Sequence, residues 1–293
     1  MIKITHKNLD EIVDKHFKNI ENYINKNNNK YKIDDINCDL IYKYNKDLEQ
    51  IIKLSPSDMK ELIGISINES PVTIEQFKDL YEVFRNKWAV DLIEKLDIHV
   101  CPYCNRENIF KFEDTVKNTA RTIATFDHFY SKKQYPFLAV SFYNLIPCCH
   151  ICNSKFKHKK DFFDIEHLHP YQEDFNSLAK FKLKIESVNY FYDKNEFSIE
   201  LFAEDEKTKN TIETFRLNDL YQNHKDIVLE LIQKREIYPD SYIDELAHNY
   251  SGLFKNREDL LRLITCGYVE DKDLNKRPLS KLIKDISEEL ELI

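Results

Sequence analysis

Two Cys-x-x-Cys pairs constrain the fold of this chain more than any other feature of its sequence. Cys101-Pro-Tyr-Cys104 is followed 45 residues later by Cys149-His-Ile-Cys152. Four thiolates close a tetrahedral zinc site, and the two-residue spacing lets both sulfurs of a pair point at one ion. The pattern predicts a structural Zn²⁺ ion bound by Cys101, Cys104, Cys149 and Cys152.

The first pair has an alternative interpretation, because Cys-Pro-Tyr-Cys is also the dithiol motif of glutaredoxin-like redox proteins. That fold requires a strand ahead of the motif within a βαβ unit. Here the residues ahead of Cys101 have a helical pattern and a second pair follows, so zinc is favoured over redox chemistry. The other three cysteines have no partner spacing and are predicted to be buried core thiols: Cys38, Cys148 and Cys266.

The scarcity of glycine excludes the common nucleotide-binding loops. The 293 residues include only three glycines. Neither G-x-x-x-x-G-K-[ST] nor G-x-G-x-x-G can be formed from them, so P-loop, Rossmann and kinase-type phosphate loops are absent from the sequence. The 35 Lys against 8 Arg favour codon bias as the origin of the scarcity. Any phosphate chemistry in this chain must therefore use side chains or a metal.

The charge of the chain changes sign along its length. The net charge is −8, but residues 99–160 carry ten basic and four acidic side chains, which gives +6. Residues 1–98 carry −3 and residues 161–293 carry −11. A basic centre between acidic flanks predicts a local site for a polyanion, and the cysteine pairs lie in the same stretch.

The hydrophobic pattern divides the chain into three predicted domains. Residues 1–97 have helical periodicity, and residues 98–172 contain the cysteine pairs. In residues 173–293, alternating runs at 181–185 and 197–201 predict a β-hairpin, and helical patterns follow it. The fold class expected is α+β, mainly α, with a small central core between a helical N-terminal region and a hairpin-plus-helices C-terminal region.

Helix boundaries are predicted most clearly in the first region. Apolar residues repeat at helical spacing over residues 9–24. Ser55-Pro56 predicts a helix with Ser as N-cap and Pro at the first helical position. Thr73-Ile-Glu-Gln76 fits a capping box ahead of one long helix through Trp88 and Leu96.

The sequence gives no sign of a membrane-spanning segment. No apolar run approaches the roughly 18 residues that a membrane-spanning helix needs. The first residues, Met1-Ile-Lys-Ile-Thr, are too polar for a signal peptide. We expect a cytoplasmic protein without membrane association.

The basic centre resembles the HNH endonuclease family, the ββα-metal nucleases. The matching pattern covers about a fifth of the chain and consists of Asp127-His128, Asn144-Leu-x-Pro and Cys149-x-x-Cys152-Asn153. Its three signature positions are separated by 16 and 9 residues. The loop after His128 departs from the pattern, because it reads Ser131-Lys-Lys where many members of the family carry Pro and Gly.

The resemblance implies a ββα-metal core and metal-dependent hydrolysis of DNA phosphodiester bonds, leaving a 5′-phosphate and a 3′-hydroxyl. It makes His128 the general base that activates water, and the pKa of about 6.5 that is ordinary for histidine suits that role at neutral pH. It makes Asn144 the residue that orients the His128 loop. Asp127 and Asn153 become the ligands of a catalytic Mg²⁺ or Mn²⁺, ions that prefer oxygen donors.

Six lysines are predicted to contact the nucleic-acid backbone without sequence specificity. On a helix that begins near Cys152, Asn153, Lys157 and Lys160 fall on one face, which would place a metal ligand beside two lysines. The predicted nucleic-acid contacts are Lys132, Lys133, Lys155, Lys157, Lys159 and Lys160.

The acidic flanks are expected to serve protein contact, self-association or restraint rather than DNA binding. The resemblance to bacterial HNH proteins of this size implies an effector of a phage-defence or restriction system, with an ATPase as one partner. The alternative to an enzyme is a zinc-stabilised binding module for nucleic acid or protein without catalysis. The presence of Asp127, His128 and Asn153 together favours the nuclease, since a pure binding module needs none of them.

Overall fold

The computed structural model describes residues 2–26, 31–64, 71–116 and 119–293, apart from the side chains of residues 71–73. Within these ranges the chain is mainly helical with three two-stranded antiparallel sheets, which confirms the α+β class. It forms two compact units. We call residues 4–98 and 109–173 the N-terminal unit, and residues 2–3, 99–108 and 174–293 the C-terminal unit. The three-domain division stays a prediction.

The helices of the N-terminal unit are α1 (Leu9–Lys26), α2 (Ile33–Tyr44), α3 (Leu48–Ile52), α4 (Pro56–Gly64), α5 (Pro71–Lys87) and α6 (Ala89–Leu96). The prediction for residues 9–24 is confirmed, and α1 buries the apolar side chains that repeat at helical spacing. The start at Ser55 is also confirmed, because the Asp58 amide donates to its Oγ over 3.2 Å.

The predicted long helix through Leu96 is in fact two helices. The backbone leaves the helical region at Trp88, where φ is −124° and ψ is −11°, and α6 begins at the next residue. The predicted capping box depends on the side chain of Thr73, which lies outside the described side chains.

The N-terminal unit also contains two hairpins. Strand β1 (Lys111–Asp114) pairs with β2 (Thr119–Thr122), and β3 (Thr125–His128) pairs with β4 (Leu145–Cys148). All four residues of β4 are buried, so this hairpin belongs to the core. The chain then turns into a π-helix, Ile151–Lys157, a wide turn that is rare and is often found at functional sites.

The C-terminal unit is built on the predicted hairpin. Strand β5 (Ala179–Ile185) pairs with β6 (Phe197–Ala203), in a register that places Phe181 opposite Leu201. The helices are α7 (Phe175–Leu178), α8 (Glu206–Thr214), α9 (Leu217–Tyr221), α10 (Lys225–Ile237), α11 (Asp240–Asn249), α12 (Arg257–Thr265) and α13 (Ser280–Glu289). In the described part of the chain, no helix is both long enough and apolar enough to cross a membrane.

Candidate functional site

The four paired cysteines come together in the structure. The sulfurs of Cys101, Cys104, Cys149 and Cys152 lie within 4.8 Å of one another, and all four residues are buried. A tetrahedral ion with sulfur bonds of about 2.3 Å separates its ligands by about 3.8 Å. Four buried thiols at this spacing could hold a metal ion such as zinc.

Backbone hydrogen bonds fix the turn of each pair. After the first pair, the Asn105 amide donates to the Cys101 carbonyl over 2.8 Å, and Asn105 has a φ of 51°. In the second pair, the Cys152 amide donates to the Cys149 sulfur over 3.4 Å. Amide groups directed at sulfur stabilise the thiolate form, which is the form that binds a metal.

The prediction for the remaining cysteines was correct at one position and wrong at two. Cys148 is buried, and burial raises the pKa of its thiol well above the usual value. Cys38 and Cys266 are exposed. Cys38 lies on the outward side of α2, and Cys266 caps α12 with a φ of 61°. A missing partner spacing therefore did not imply burial.

Strand β3 carries Asp127 in a buried ion pair. The Lys157 ammonium donates to Asp127 Oδ1 over 2.9 Å, and the two side chains are 3% and 5% exposed. The same ammonium donates to the His128 carbonyl. A positive charge is thus already held against the Asp127 side chain, and the two buried groups satisfy each other.

The neighbouring residue, His128, is buried and held in one tautomer. Its Nε2 lies 3.0 Å from the Ala139 carbonyl oxygen. A carbonyl only accepts hydrogen bonds, so Nε2 carries the proton and Nδ1 keeps the lone pair. The pKa of His128 is lowered to about 3, mainly by burial and then by the charges of Lys132 and Lys157, against the opposing effect of the Ala139 bond. The imidazole is therefore neutral at pH 7.

Asn144 closes the loop between β3 and β4. Its Oδ1 accepts from the Tyr130 amide over 2.7 Å, and its Nδ2 donates to the carbonyls of Tyr130 and Leu138 over 3.0 and 2.9 Å. Leu138 precedes Ala139, the acceptor for His128. One buried side chain thus ties the start of the loop to the segment that contacts the imidazole.

Asn153 connects the π-helix to β3. Its Nδ2 donates to Thr125 Oγ1 over 3.1 Å and to the Phe126 carbonyl over 3.4 Å. Asn153 and Lys157 therefore contact four consecutive residues of one strand, Thr125–His128. The Oδ1 of Asn153 is the atom of this side chain that suits a hard cation.

The predicted nucleic-acid lysines occupy three kinds of position. Lys157 is buried rather than on the surface, because it neutralises Asp127. Lys132 is half-buried, with its ammonium 3.6 Å from the centre of the Tyr81 ring, and burial lowers its pKa. The remaining four are exposed: Lys133, Lys155, Lys159 and Lys160.

Asn153 and Lys132 line a cavity of about 570 Å³ in the N-terminal unit. Two of the eight arginines of the chain, Arg85 of α5 and Arg121 of β2, line it as well. Among the described residues, none of those that line it is acidic. Sequence reasoning missed both arginines, because it confined nucleic-acid binding to the lysines of residues 132–160 and assigned α5 to an acidic flank.

Comparisons with protein families, with curated proteins and with solved structures found no match to this chain.

Proposed function

We propose that the chain is a metal-dependent HNH endonuclease that hydrolyses DNA phosphodiester bonds and leaves a 5′-phosphate and a 3′-hydroxyl. The observation that carries this proposal is the convergence on β3 of His128, Asp127 and Asn153, with Asn153 lining a cavity that is also lined by basic side chains. Phosphodiester hydrolysis requires a base for water and a cation for the developing charge. His128 can supply the base, and Asp127 and Asn153 can hold the cation.

His128 acts as the general base in this proposal. Its imidazole is neutral at pH 7, and the Ala139 carbonyl directs the proton to Nε2, so Nδ1 is the atom that accepts a proton from water. Burial makes this imidazole a weaker base than the ordinary histidine pKa of about 6.5 predicts. Asn144 positions the loop through its three hydrogen bonds and so keeps the Ala139 carbonyl against the ring.

Asp127 and Asn153 would hold the catalytic cation. A carboxylate and an amide oxygen are donors that Mg²⁺ and Mn²⁺ accept. Mg²⁺ usually keeps several waters and takes few protein ligands, and when bound it stabilises negative charge on a phosphate oxygen. Residues 125–128 of β3 give both side chains a common support.

The four-cysteine cluster has a structural role in this proposal and binds Zn²⁺. Its thiols are buried and all four ligand positions are filled by sulfur. Closed sites of this kind stabilise folds, whereas catalytic zinc sites keep one position open for water.

A zinc-stabilised binding module without catalysis is the second candidate. One observation favours it, namely the Lys157–Asp127 ion pair, which engages the carboxylate that the nuclease needs as a metal ligand. The two candidates differ in what they require of His128. The binding module needs only its packing, and the nuclease needs its lone pair.

Cleavage of supercoiled plasmid separates the two candidates. Purified wild type, His128→Ala and His128→Gln are compared in Mg²⁺ and in Mn²⁺, with His248→Ala on the exposed face of α11 as the matched control. Loss of a general base lowers the rate about a hundredfold to ten-thousandfold. We expect this loss in both His128 variants, with an unchanged thermal unfolding midpoint in at least one of them. Equal cutting by all four proteins would exclude His128 as the base.

A further inference from the structure

We propose that Arg85 and Arg121 bind the phosphate backbone of the cleaved strand in the cavity that Asn153 also lines. The cleavage of that strand rests on the proposed function, but the binding does not. Helix α5 and the β1–β2 hairpin lie outside residues 132–160, where backbone contacts were expected from the sequence. The proposal extends the substrate-binding surface to helix α5 and to the β1–β2 hairpin.

The charge of the cavity is the first support. The chain has eight more acidic than basic side chains, yet Arg85, Arg121 and Lys132 line the cavity with no acidic side chain among the described residues around it. The carboxylates that pair with the arginines, Glu82 and Asp114, lie outside the lining, so the concave surface itself presents three cations to a polyanion. The volume of about 570 Å³ falls in the usual range of ligand sites, about 300–1,000 Å³.

The present partners of the two arginines can be exchanged for phosphate. Arg85 lies 3.5 Å from Glu82, and Arg121 lies 3.2 Å from Asp114. The arginine side chains are 55% and 52% exposed, and ion pairs with that exposure contribute at most about 1 kcal/mol. A guanidinium binds phosphate through two parallel hydrogen bonds, so a phosphate can replace either of these weakly held carboxylates.

Neutral donors complete the lining. Thr119 contributes a hydroxyl group and Asn86 an amide, whereas the hydroxyls of Thr122 and Thr125 already donate to the carbonyls of Phe110 and Cys148. Side chains of these types contact phosphate and sugar in nucleic-acid complexes and carry no information about base sequence. The cavity therefore fits the backbone of a nucleic-acid strand, and we expect affinity without sequence preference.

Lys132 differs from the arginines in its fixed position. Its ammonium lies against the Tyr81 ring, and burial lowers its pKa. It is the cation of the cavity that already has a buried aromatic partner, so its substitution would disturb packing as well as charge. Arg85 and Arg121 are the better test positions because both are exposed.

The test measures the salt dependence of binding to a fluorescein-labelled DNA duplex by fluorescence anisotropy. Ca²⁺ replaces Mg²⁺ so that binding is measured without cleavage. No chelator is used, because a chelator would also remove a metal ion from the cysteine cluster. The proteins are wild type, Arg85→Gln, Arg121→Gln, the double variant and Arg85→Lys. The matched control is Arg216→Gln, because Arg216 also lines a cavity, is 63% exposed and pairs with a carboxylate three residues away, Asp219.

Each lost phosphate contact lowers the slope of log affinity against log salt by about 1. We expect Kd to rise on the order of tenfold for each single glutamine variant and the slope to fall by about 2 for the double variant. Arg85→Lys should keep most of the affinity, and Arg216→Gln should bind as wild type does.

The proposal is overturned if the double variant keeps the wild-type slope, if Arg216→Gln weakens binding equally, or if wild type shows no salt-dependent binding. Failure of the nuclease proposal is a different result. In that case no protein cleaves plasmid in Mg²⁺ or Mn²⁺, whereas the arginine variants still bind the duplex more weakly than wild type.

Discussion

The two units each contain a large cavity, and the two cavities differ in charge. The cavity of the C-terminal unit is the larger, at about 820 Å³. It is lined by two cations, Lys209 and Arg216, and three carboxylates, Glu200, Glu213 and Asp219. The cavity of the N-terminal unit has about 570 Å³ and three cations, with no acidic side chain among its described lining residues. The larger cavity is therefore the less suitable one for a polyanion, because carboxylates line it.

The two units also each contain a buried Lys–Asp pair. In the C-terminal unit, Lys281 donates to Asp285 over 2.6 Å, and the Phe181 amide donates to the same carboxylate oxygen over 2.9 Å. In the N-terminal unit, Lys157 bonds Asp127 and the carbonyl of the candidate base, His128. Both pairs are buried and both are ion pairs. What distinguishes the candidate reactive site from the structural one is the residue next to the pair, which is His128 in the N-terminal unit and Phe181 in the C-terminal unit.

The largest expected effect is the loss of stability when a metal is removed from the cysteine cluster. The other variants should therefore be compared with the metal bound. Structural zinc in small domains contributes on the order of 10 kcal/mol. We expect about one Zn per chain, and removal of the metal should lower the unfolding midpoint steeply. Iodoacetamide should label the exposed Cys38 and Cys266 in the native protein and the four cluster cysteines only after metal removal. Rapid native labelling of all four would contradict a bound metal.

The two buried ion pairs give the next largest effect. Removal of one partner leaves a buried charge and costs about 3–5 kcal/mol, so Lys157→Met should destabilise the protein strongly. Lys281→Met should cost less, because Lys180 also pairs with Asp285, over 3.2 Å. Mg²⁺ should restore part of the stability of Lys157→Met, because a cation at Asp127 replaces the lost charge, and ligand at a hundred times its Kd contributes about 2.7 kcal/mol.

Urea unfolding with and without Mg²⁺ measures this difference. For Lys281→Met we expect the smaller response of wild type, because Lys157 is retained and competes with Mg²⁺ for the Asp127 carboxylate. If both variants respond equally to Mg²⁺, Lys157 does not occupy the place of a cation at Asp127 and the distinction between the pairs is lost.

A smaller effect is expected from pH, and in the N-terminal unit it can be tested at His16. His16 of α1 is buried, with Nε2 2.8 Å from the Val140 carbonyl. Burial lowers the pKa of His16 to about 4, whereas the unfolded value is about 6.5. As pH falls from 6.5 towards 4, the unfolded chain therefore binds a proton that the folded chain does not, and stability falls by up to about 3 kcal/mol.

His16→Gln should remove this part of the pH dependence while it keeps a donor for Val140. Urea midpoints at pH 7 and pH 4.5 measure it, with His248→Gln in the C-terminal unit as the control. The pKa of His128 is also lowered, so part of the loss of stability at low pH should remain in His16→Gln. An unchanged difference between the two pH values in His16→Gln would contradict the account.

Local patterns in the sequence predicted the elements well. The helical repeat over residues 9–24, the Ser55 cap and the alternating runs of the β5–β6 hairpin depend on neighbours a few residues apart. The spacing within each cysteine pair is also local. These features could be predicted because the physical cause lies within the segment itself.

Long-range contacts could not be predicted in the same way. Lys157 was expected beside Asn153 on an outer helical face, but the wider π-helix and the attraction of Asp127, 30 residues away, bring its ammonium into the interior. Arg85 and Arg121 are far apart in sequence, and only the packing of α5 and the β1–β2 hairpin places them around one cavity. No periodicity in the sequence encodes either arrangement.

One paired measurement tests the central claim, that the N-terminal cavity and not the larger C-terminal one belongs to a hydrolytic site. Asn153 and Asn218 are matched, because each lines a cavity and hydrogen-bonds the adjacent strand, Asn153 to Thr125 and Asn218 to Leu201. Rates of plasmid nicking in Mn²⁺ are measured for wild type, Asn153→Ala and Asn218→Ala. We predict a fall of about a hundredfold for Asn153→Ala, through loss of a metal ligand, and no change for Asn218→Ala. If wild type nicks the plasmid and Asn153→Ala nicks it at the same rate, the account is contradicted.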